Sequence, residues 1–507
     1  MRRHFSKSTL SIAAAQALLF CAGGAVAQTT AAPAAGAASA PASAASQASN
    51  VGEVQSVAVS GQRAALQSAQ AIKRNSEDIV DGVVAEEAGK LPDRSITEVL
   101  QRVVGVTMDR NRSRGDPEHF SVEGSGIQVR GLSWGSSTLN GRESFSAGWP
   151  GRELSWGDVP SELMSAVLVH KNPPAELIEG GISAQVDLRT ALPFDYKGSK
   201  SVVTLADSYG ALSKKHSPSV SGLYSTRWST DSGEWGALLD LSLNRNNTHN
   251  DTIQQDAFFP RTDLVAGQTV WAPKSASWRT NSSQTDRAGV YAALQWRKND
   301  KQSSLTIFDS AYRDINLEHA LFTAVENSYK SQISNPVYDS NGVLRAGTYT
   351  YPFGGLGANN FAAGGLGFNV DTGYSTSHSQ TRDISWNFKW DIDDRWAFQN
   401  DLQWVHATNR SQNSVVALQT YVPSMSLDTR GAVPQLSFDK TATDFLADPK
   451  NYYLNNVMPS IGKASGDLAA WKADAQYKID GRFLRDVRFG VRVTNRSSTN
   501  VSGSGTG

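Results

Sequence analysis

The stretch that decides the fold runs from Ile127 to Thr190, where short apolar segments alternate with glycine-containing turns. Its pieces follow one another in compact order: IQVRGL (127–132), TLNGR (138–142), VPSEL (159–163), AVLVHKNPPAELIEGG (166–181) and VDLRT (186–190). We interpret them as strand, turn, helix start, strand with turn, and strand, with the glycines allowing positive φ and close backbone approach. This segment therefore predicts a small mixed domain.

Two short helices are predicted before it. Ser76 is placed to cap a helix carrying Ile79, Val80, Val83 and Val84, and Ser95 with Glu98 has the spacing of a capping box, with Gly105 closing the turn. Strands are predicted at Val106–Met108, Ile127–Arg130 and Val167–Lys171. The α/β domain is thus assigned to residues 61–193, an ordinary domain size.

From about Lys200 onward the hydrophobic pattern has a period of two, which indicates half-buried strands. One face of the first clear strand holds Trp235, Ala237, Leu239, Leu241 and Leu243. The clearest hairpin has alternating apolar residues over 384–390 and 396–404 around the short polar turn 391–395, and similar segments lie at 469–477 and 483–493. Amphipathic strands of about ten residues joined by short turns are typical of transmembrane hairpins.

Long polar or glycine-rich connections at 246–286 and 327–380 alternate with the short turns, so they are expected on one side of a membrane. We expect 10 to 12 strands after Lys200, whereas a barrel that holds a plug needs about 22. The sequence is therefore interpreted as part of a longer protein, with residues 194–507 as the N-terminal part of a barrel. A soluble sandwich with one buried face is the alternative for the same pattern.

The N-terminus predicts export. Residues 1–27 combine a basic start, an apolar run at 12–20 and an Ala25-Val26-Ala27 cleavage site, as in a secretory signal peptide. Residues 28–52 are almost entirely small and polar and are expected to form a flexible linker. The single cysteine, Cys21, lies in the segment to be removed, so the mature chain should hold no thiol and no disulfide.

Composition narrows the function classes. Lys plus Arg and Asp plus Glu both number 48, which leaves no basic field for nucleic acid. No window after the signal peptide has about 18 consecutive apolar residues, so a membrane location would require a barrel. The eight histidines show no metal-ligand spacing and no nucleophile lies beside a base, so neither an enzyme, a metal site nor a cofactor is expected.

The order of pieces in 127–190, with Val129-Arg130-Gly131-Leu132 and Leu139-Asn140-Gly141-Arg142 as its most specific motifs, resembles the plug domain of TonB-dependent outer-membrane receptors. The resemblance implies a small α/β plug inside a transmembrane antiparallel β-barrel of the 22-stranded type. It also implies that residues 53–60 are a TonB box, in which Val57, Ala58, Val59 and Ser60 bind TonB by strand addition. Further implied partners are outer-membrane lipid and a small or oligomeric nutrient, with the receptor acting as a monomer.

In that family the ligand lies between the plug apex and the extracellular loops. The resemblance therefore suggests substrate contacts from irregular plug stretches that mix basic, acidic and aromatic residues: Arg112, Arg114, His119, Arg142, Glu143, Trp149 and Trp156. Such a mixture suits an oligosaccharide, because sugars bind by aromatic stacking and planar polar groups, and the chain is similar to the carbohydrate-associated branch. A siderophore or iron-complex receptor, a passive porin, a receptor that signals to a regulator and a secreted polysaccharide-binding protein remain alternatives.

Overall fold

The computed structural model describes residues 66–85, 95–111, 119–124, 126–133, 135–148, 154–323, 330–356, 362–479 and 481–505. All of them belong to one compact unit, Ala58–Gly507. The predicted signal peptide, linker and TonB box lie outside the described residues. Within the described ranges no helix is long and apolar enough to cross a membrane.

The N-terminal part is a small α/β plug. It contains a helix over residues 66–75, a helix at Ile96–Gln101 and 3₁₀ turns at Trp156–Asp158, Ser161–Leu163 and Pro193–Asp195. Its strands are β1 (Val80–Val84), β2 (Val106–Asp109), β3 (Gly126–Val129), β4 (Ser136–Leu139), β5 (Arg142–Glu143), β6 (Ala166–His170) and β7 (Gln185–Arg189). Five of them form one sheet in the order β1-β6-β7-β4-β5, and β2 pairs with β3.

The helix predicted from Ser76 is wrong, because the segment carrying Val80, Val83 and Val84 is strand β1. β-branched residues favour extended backbone, and pairing with β6 makes this segment a strand rather than the predicted helix. Gly82 makes this pairing possible, since a Cβ there would lie 2.5 Å from Leu168 Cδ2 and 2.7 Å from the Val167 carbonyl oxygen. The apolar spacing alone was compatible with both structures.

Two local predictions in the plug are confirmed. The Ser95 side chain accepts a hydrogen bond from the Glu98 amide and caps the helix Ile96–Gln101. Asn140 (φ 53°) and Gly141 (φ 76°) join β4 to β5 as a two-residue turn with Leu139 opposite Arg142. Two consecutive positive φ values define the type I′ hairpin turn, for which Asn-Gly is the preferred sequence.

The rest of the described chain is almost entirely strand. The first group is β8 (Lys200–Ala206), β9 (Tyr209–Gly210), β10 (Lys215–His216), β11 (Ser219–Thr230), β12 (Gly233–Gln255), β13 (Phe258–Arg261), β14 (Val270–Pro273), β15 (Ala276–Lys298) and β16 (Lys301–Thr323). The second is β17 (Gln332–Tyr338), β18 (Leu344–Thr350), β19 (Phe353–Leu356), β20 (Ala362–Gly364), β21 (Leu366–Asp391), β22 (Trp396–Val422), β23 (Ser424–Asp428), β24 (Gln435–Ser437), β25 (Tyr453–Lys478) and β26 (Asp486–Ser504).

Nine of these strands form the large antiparallel sheet, which we call the wall, in the order β26-β25-β22-β21-β16-β15-β12-β11-β8. The described residues thus contain nine wall strands where 10 to 12 were expected. The strands are also longer than the predicted ten residues, reaching 27 in β22. Beyond the apolar portion of these strands the backbone pairing continues through residues with hydroxyl and amide side chains. No hydrophobic period marks that part of the strand. The predicted fold class, a small α/β plug with a large antiparallel sheet of the barrel type, is confirmed.

The two faces of the wall differ. On β12, Leu238, Asp240 and Ser242 are buried and face the plug, whereas Leu239 is 41% and Leu243 47% exposed on the outer face. The outer apolar residues from Trp235 to Leu243 cover eight residue steps, roughly 20 Å of height for strands tilted as in membrane barrels. This matches the apolar band of a membrane-spanning barrel.

The long connections are partly structured. The connection predicted at 246–286 is reduced to the segment between β12 and β15, which holds the β13–β14 hairpin. A four-stranded sheet, β17-β18-β23-β24, and the helix Lys440–Ala447 surround a separate hydrophobic cluster that includes Leu344, Tyr349 and Met425. These elements lie at the end of the wall opposite the short turns 231–232 and 299–300. We call this end, where the long connections lie, the upper end.

Candidate functional site

A cavity of about 540 Å³ lies between the plug and the inner face of the wall toward the upper end. The plug contributes the loop His119–Gly124 and residues near Gly148 and Asp158. The upper parts of β12, β15, β16, β21 and β22 form the other side. We call this space the upper cavity.

Neutral polar side chains dominate its lining. The amides are Asn250, Asn281, Asn316, Asn409 and Asn413. The serine and threonine hydroxyls are Ser121, Ser155, Thr248, Ser283, Thr285, Ser375, Ser377 and Ser379. Phe120 and Tyr312 add aromatic rings, and Glu123, Asp158, Asp314 and Glu318 add carboxyl groups. No arginine or lysine lines the cavity among the residues that the structure describes.

Glu123 is held at the floor of the cavity by the wall. Arg287 donates to both Glu123 carboxylate oxygens, and its side chain is fully buried. Arg287 Nε also donates to the Gly157 carbonyl, so one guanidinium group joins two plug loops to β15. Burial alone would raise the pKa of Glu123, but attraction to Arg287 and hydrogen bonds from Arg287, Asn246 and Thr285 hold it below its ordinary value. Glu123 is therefore a structural anion.

Asp158 behaves differently, although it lies beside the same cavity. Burial raises the pKa of Asp158 to about 6, opposed by a hydrogen bond from Ser155 and by the charge of Arg287. Ser155 Oγ lies 3.0 Å from Asp158 Oδ1. The Asp158 backbone is fixed by Ser310 of β16, whose hydroxyl donates to its carbonyl over 2.6 Å. This carboxyl group therefore titrates close to neutral pH.

His119 occupies the upper rim of the cavity. Its Nε2 lies 3.3 Å from Glu318 Oε1, which also accepts from Arg279 Nη1 over 2.9 Å. The Arg279 guanidinium stacks 4.5 Å from the centre of the Phe322 ring. The contacts tie the plug loop at 119–124 to β15 and β16. Of the predicted site residues that the structure describes, His119, Arg142, Glu143 and Trp156, only His119 lines this cavity.

Glycines of the wall set how closely the plug can approach. A Cβ at Gly289 would lie 2.5 Å from Leu163 Cδ1, one at Gly236 2.5 Å from Pro193 Cβ, and one at Gly466 2.7 Å from Phe145 Cε2. Each glycine faces inward and leaves room for a plug side chain. These close approaches show that glycines at particular wall positions allow the plug to pack against the wall.

A second space, the lower cavity, lies nearer the short turns and measures about 920 Å³. The Asn140–Arg142 turn and plug residues 175–179 face β22, β25 and β26 across it. Arg142 pairs with Asp401 over 3.2 Å, and Glu143 pairs with Arg492 and Arg496 over 2.9 and 3.1 Å. Two predicted contact residues thus join the plug to the wall.

The other predicted contact residues lie elsewhere. Trp156 is 1% exposed and belongs to the main hydrophobic core. Arg112, Arg114 and Trp149 lie outside the described residues. Ligand contact by Arg142, Glu143 and Trp156 stays a prediction, and it would require the plug to rearrange.

Most of the lining was not predicted from the sequence. Asn281, Ser283, Ser375 and Ser377 lie on strand portions that had been assigned to long connections. The signal was present, because most inward positions in these strand portions carry amides, hydroxyls or charged groups. It was not recognised, since the outward positions there are also polar and the alternation carries no hydrophobic contrast. Within the described residues no group of three or more His, Cys, Asp or Glu side chains is arranged to hold a metal ion.

Comparison with solved structures returns outer-membrane receptors of low identity. The unliganded ferric citrate transporter FecA has a TM-score of 0.26 at 12% identity, over 85% of this chain and 75% of that one. The siderophore receptor PirA from Acinetobacter baumannii has 0.28 at 10%, over 86% and 92%. The alcaligin receptor FauA from Bordetella pertussis has 0.28 at 10%, over 85% and 81%.

The curated proteins include no match to the sequence. A family model does match part of the chain. It covers residues 72–184, which include six of the seven strands of the small domain described above, β1 to β6. The resemblance read from residues 127–190 is thereby confirmed, and the matching family is the TonB-dependent Receptor Plug Domain.

Proposed function

We propose that this protein is a TonB-dependent outer-membrane receptor that takes up a nutrient ligand bound in the upper cavity. The observation that carries the proposal is the plug match at 72–184 together with the seating of that plug against the inner face of the wall. A passive porin has no need of such a plug. A secreted polysaccharide-binding protein has no need of the outer apolar band that surrounds it.

The proposed cycle begins with ligand contact at the loop 119–124 and the neighbouring amides and hydroxyls. TonB then pairs with the segment at residues 53–60, in particular Val57, Ala58, Val59 and Ser60, by strand addition at a sheet edge. Force applied there acts on the plug, whose attachments to the wall include ion pairs that can be exchanged for water. The signal peptide at 1–27 would direct the protein to this compartment.

For the ligand we propose a neutral, hydroxyl-rich molecule of the oligosaccharide class. The lining supports it, since amides and hydroxyls can both donate and accept, and Phe120 and Tyr312 offer ring faces. A polyanionic chelate would meet four carboxyl groups without a lining arginine or lysine among the described residues. Arg112 and Arg114 of the plug are proposed as additional contacts.

Cysteine cross-linking tests the coupling step cleanly, because the only native cysteine lies at position 21 within the predicted signal peptide. Val59→Cys should form a disulfide with cysteine-substituted periplasmic TonB domain in whole envelopes, and the yield should rise with ligand. The matched control is Gln47→Cys in the linker, which should not cross-link. Equal cross-linking of both variants, or none with Val59→Cys, would contradict the assignment of the box.

Ligand class is tested by equilibrium binding of neutral oligosaccharides and of ferric siderophores to the purified protein. Asn281→Ala and Asn316→Ala should each lower the affinity for whichever ligand class binds several-fold, because each removes an amide from the lining. Saturable binding of siderophores alone would replace the oligosaccharide assignment and leave the transport proposal intact.

A further inference from the structure

One strand of the wall, β21, presents an unbroken line of polar side chains to the plug. Every second residue from Ser375 to Lys389 faces inward, and all of them are polar: Ser375, Ser377, Ser379, Thr381, Asp383, Ser385, Asn387 and Lys389. We call them the polar track. Its upper members line the upper cavity, and Lys389 lines the lower cavity. The polar track therefore joins the two cavities along a single strand.

The neighbouring strands carry apolar residues at the level where the polar track does not. Asp383 stands directly between Phe308 of β16 and Val405 of β22 in the strand register. Gln403 Nε2 donates to Asp383 Oδ2 over 2.7 Å and to the Glu143 carbonyl of the plug over 2.9 Å. Burying a carboxyl group between apolar neighbours does not favour folding, so packing does not explain a polar residue at this level.

A thin apolar layer, which we call the partition, closes the space beside the polar track. It consists of Phe145 and Ala147 of the plug with Val405, Ala407 and Leu468 of the wall. Along β22 the inward residues Asp401 and Gln403 line the lower cavity, whereas Asn409 and Asn413 line the upper cavity. Gln403 and Asn409 are six residue steps apart, roughly 20 Å of strand. The partition is thus the layer that separates the two cavities on this flank of the plug.

Phe145 fills most of the partition from the plug side. Its side chain is buried, and a Cβ at Gly466 of the wall would lie 2.7 Å from its Cε2. The Arg496 guanidinium lies 4.3 Å from the centre of its ring and also pairs with Glu143. Gly148, three residues further on, has a φ of 77°. Since Glu143 ends β5, an edge strand of the plug sheet, residues 144–148 can move without separating the other strands of that sheet.

We propose that the ligand passes between plug and wall along the polar track, and that Phe145 is the barrier on this route. The inference rests on the proposed function, in which the ligand enters from the upper cavity. A hydroxyl-rich molecule can exchange hydrogen bonds with successive track residues, because hydroxyls and amides both donate and accept. With Phe145 in the partition the route is closed, and displacement of residues 144–148 joins the two cavities.

Cysteine labelling from outside the cell tests the barrier, because the only native cysteine lies at position 21. Ala470→Cys reports on the lower cavity, and the probe is a small cationic methanethiosulfonate added to porin-deficient cells that lack TonB. With the native plug this cysteine should stay unlabelled, as should Gln47→Cys, which reports leakage into the periplasm. Phe145→Ala should raise the labelling rate of Ala470→Cys at least tenfold.

The matched control is Leu163→Ala, which removes a buried plug side chain packed against Gly289 on the flank away from the partition. It should leave Ala470→Cys unlabelled. Phe145→Leu keeps an apolar side chain and should give an intermediate rate, which preserves the test if the alanine variant does not reach the outer membrane. No rise in either Phe145 variant, or an equal rise in Leu163→Ala, would overturn the proposal.

The route itself is tested in the Phe145→Ala background. Thr381→Val and Ser385→Val replace track hydroxyls by methyl groups and should each lower the labelling rate of Ala470→Cys several-fold. An unchanged rate in both would place the route elsewhere between plug and wall and overturn its assignment to the polar track.

The barrier and the proposed function fail separately. Labelling of Ala470→Cys in Phe145→Ala requires neither TonB nor an identified ligand. With the native plug, restoring TonB and supplying an oligosaccharide that the purified protein binds should raise the labelling rate. If it does not, while Phe145→Ala still admits the probe, the coupling to TonB is wrong and the barrier is supported.

Discussion

Replacing Arg287 by methionine removes one partner of a buried ion pair between wall and plug while keeping most of the side-chain volume. Arg287 is fully buried and serves Glu123 and the Gly157 carbonyl together. Breaking such a pair by removing one partner costs about 3–5 kcal/mol, because a buried charge is left without compensation. At about 1.4 kcal/mol per tenfold change, local opening of the loop at 119–124 should rise by roughly two to four orders of magnitude.

Amide hydrogen exchange followed by mass spectrometry measures that opening directly. Protection over residues 119–124 should fall in Arg287→Met, while protection of β6 in the plug sheet should not change. The control is Arg382→Met, whose arginine pairs with Asp309 on the outer face and is 42% exposed. A surface pair of that kind contributes about 0–1 kcal/mol. Loop protection in Arg287→Met within threefold of the wild type would refute the reasoning.

Adding Glu123→Gln to Arg287→Met supplies a further check, because the double variant leaves no unpaired charge. Its loss of loop protection should therefore be smaller than the sum of the two single losses. Additive losses would mean that the two side chains act on the loop independently.

Three further predictions concern the plug and its packing against the wall. Asp158 has a folded-state pKa of about 6 against an ordinary value of 3.8, so it stabilises the fold fully below about pH 4, and this stability is lost as the pH rises through 6. The loss should approach about 3 kcal/mol, and Asp158→Asn should remove this part of the pH dependence of denaturant unfolding. Gly289→Val should lower the unfolding free energy by about 1–3 kcal/mol through overpacking. Gly222→Ala, whose added Cβ meets nothing closer than 3.9 Å, should be close to neutral. Similar losses of unfolding free energy in Gly289→Val and Gly222→Ala would contradict the role of Gly289 in packing the plug against the wall. Gly141→Val forces a β-branched residue to a φ of 76° and should lower the thermal midpoint, whereas an unchanged midpoint would show that the turn can adopt another conformation.

The sequence predicted the parts of this fold that local chemistry decides. Asn140 and Gly141 specify their turn because few residues accept two positive φ values, and Ser95 specifies its helix start because its hydroxyl caps a free amide. The outer apolar residues of β12 could be predicted because they alternate with inward residues along the strand. The helix start predicted at Ser76 was wrong although it rested on the same kind of local signal, because pairing with β6 makes that segment a strand.

The parts that the sequence did not predict depend on partners far away in the chain. Val80–Val84 is a strand because β6, more than 80 positions later, offers it an edge. Glu123 and Arg287 are 164 positions apart, and Glu143 and Arg496 are 353 apart, so neither pairing leaves a local pattern. The upper cavity is therefore a product of register, because pairing of β15 with β16 and of β21 with β22 brings its amides and hydroxyls together.

The two flanks of the plug are attached by the same two kinds of interaction. Toward β11, β12, β15 and β16 the plug core is continuous with inward apolar residues of the wall, including Leu223, Leu238, Tyr291 and Phe308, and Arg287 of β15 pairs with Glu123. Toward β22, β25 and β26, Phe145 and Ala147 of the plug pack with Val405, Ala407 and Leu468, and Arg142 and Glu143 form ion pairs with Asp401 and Arg492. Apolar contact resists separation because water must cover both surfaces, whereas charged groups regain hydration when they part. Each flank therefore combines apolar contacts that oppose separation of plug and wall with ion pairs that water can replace.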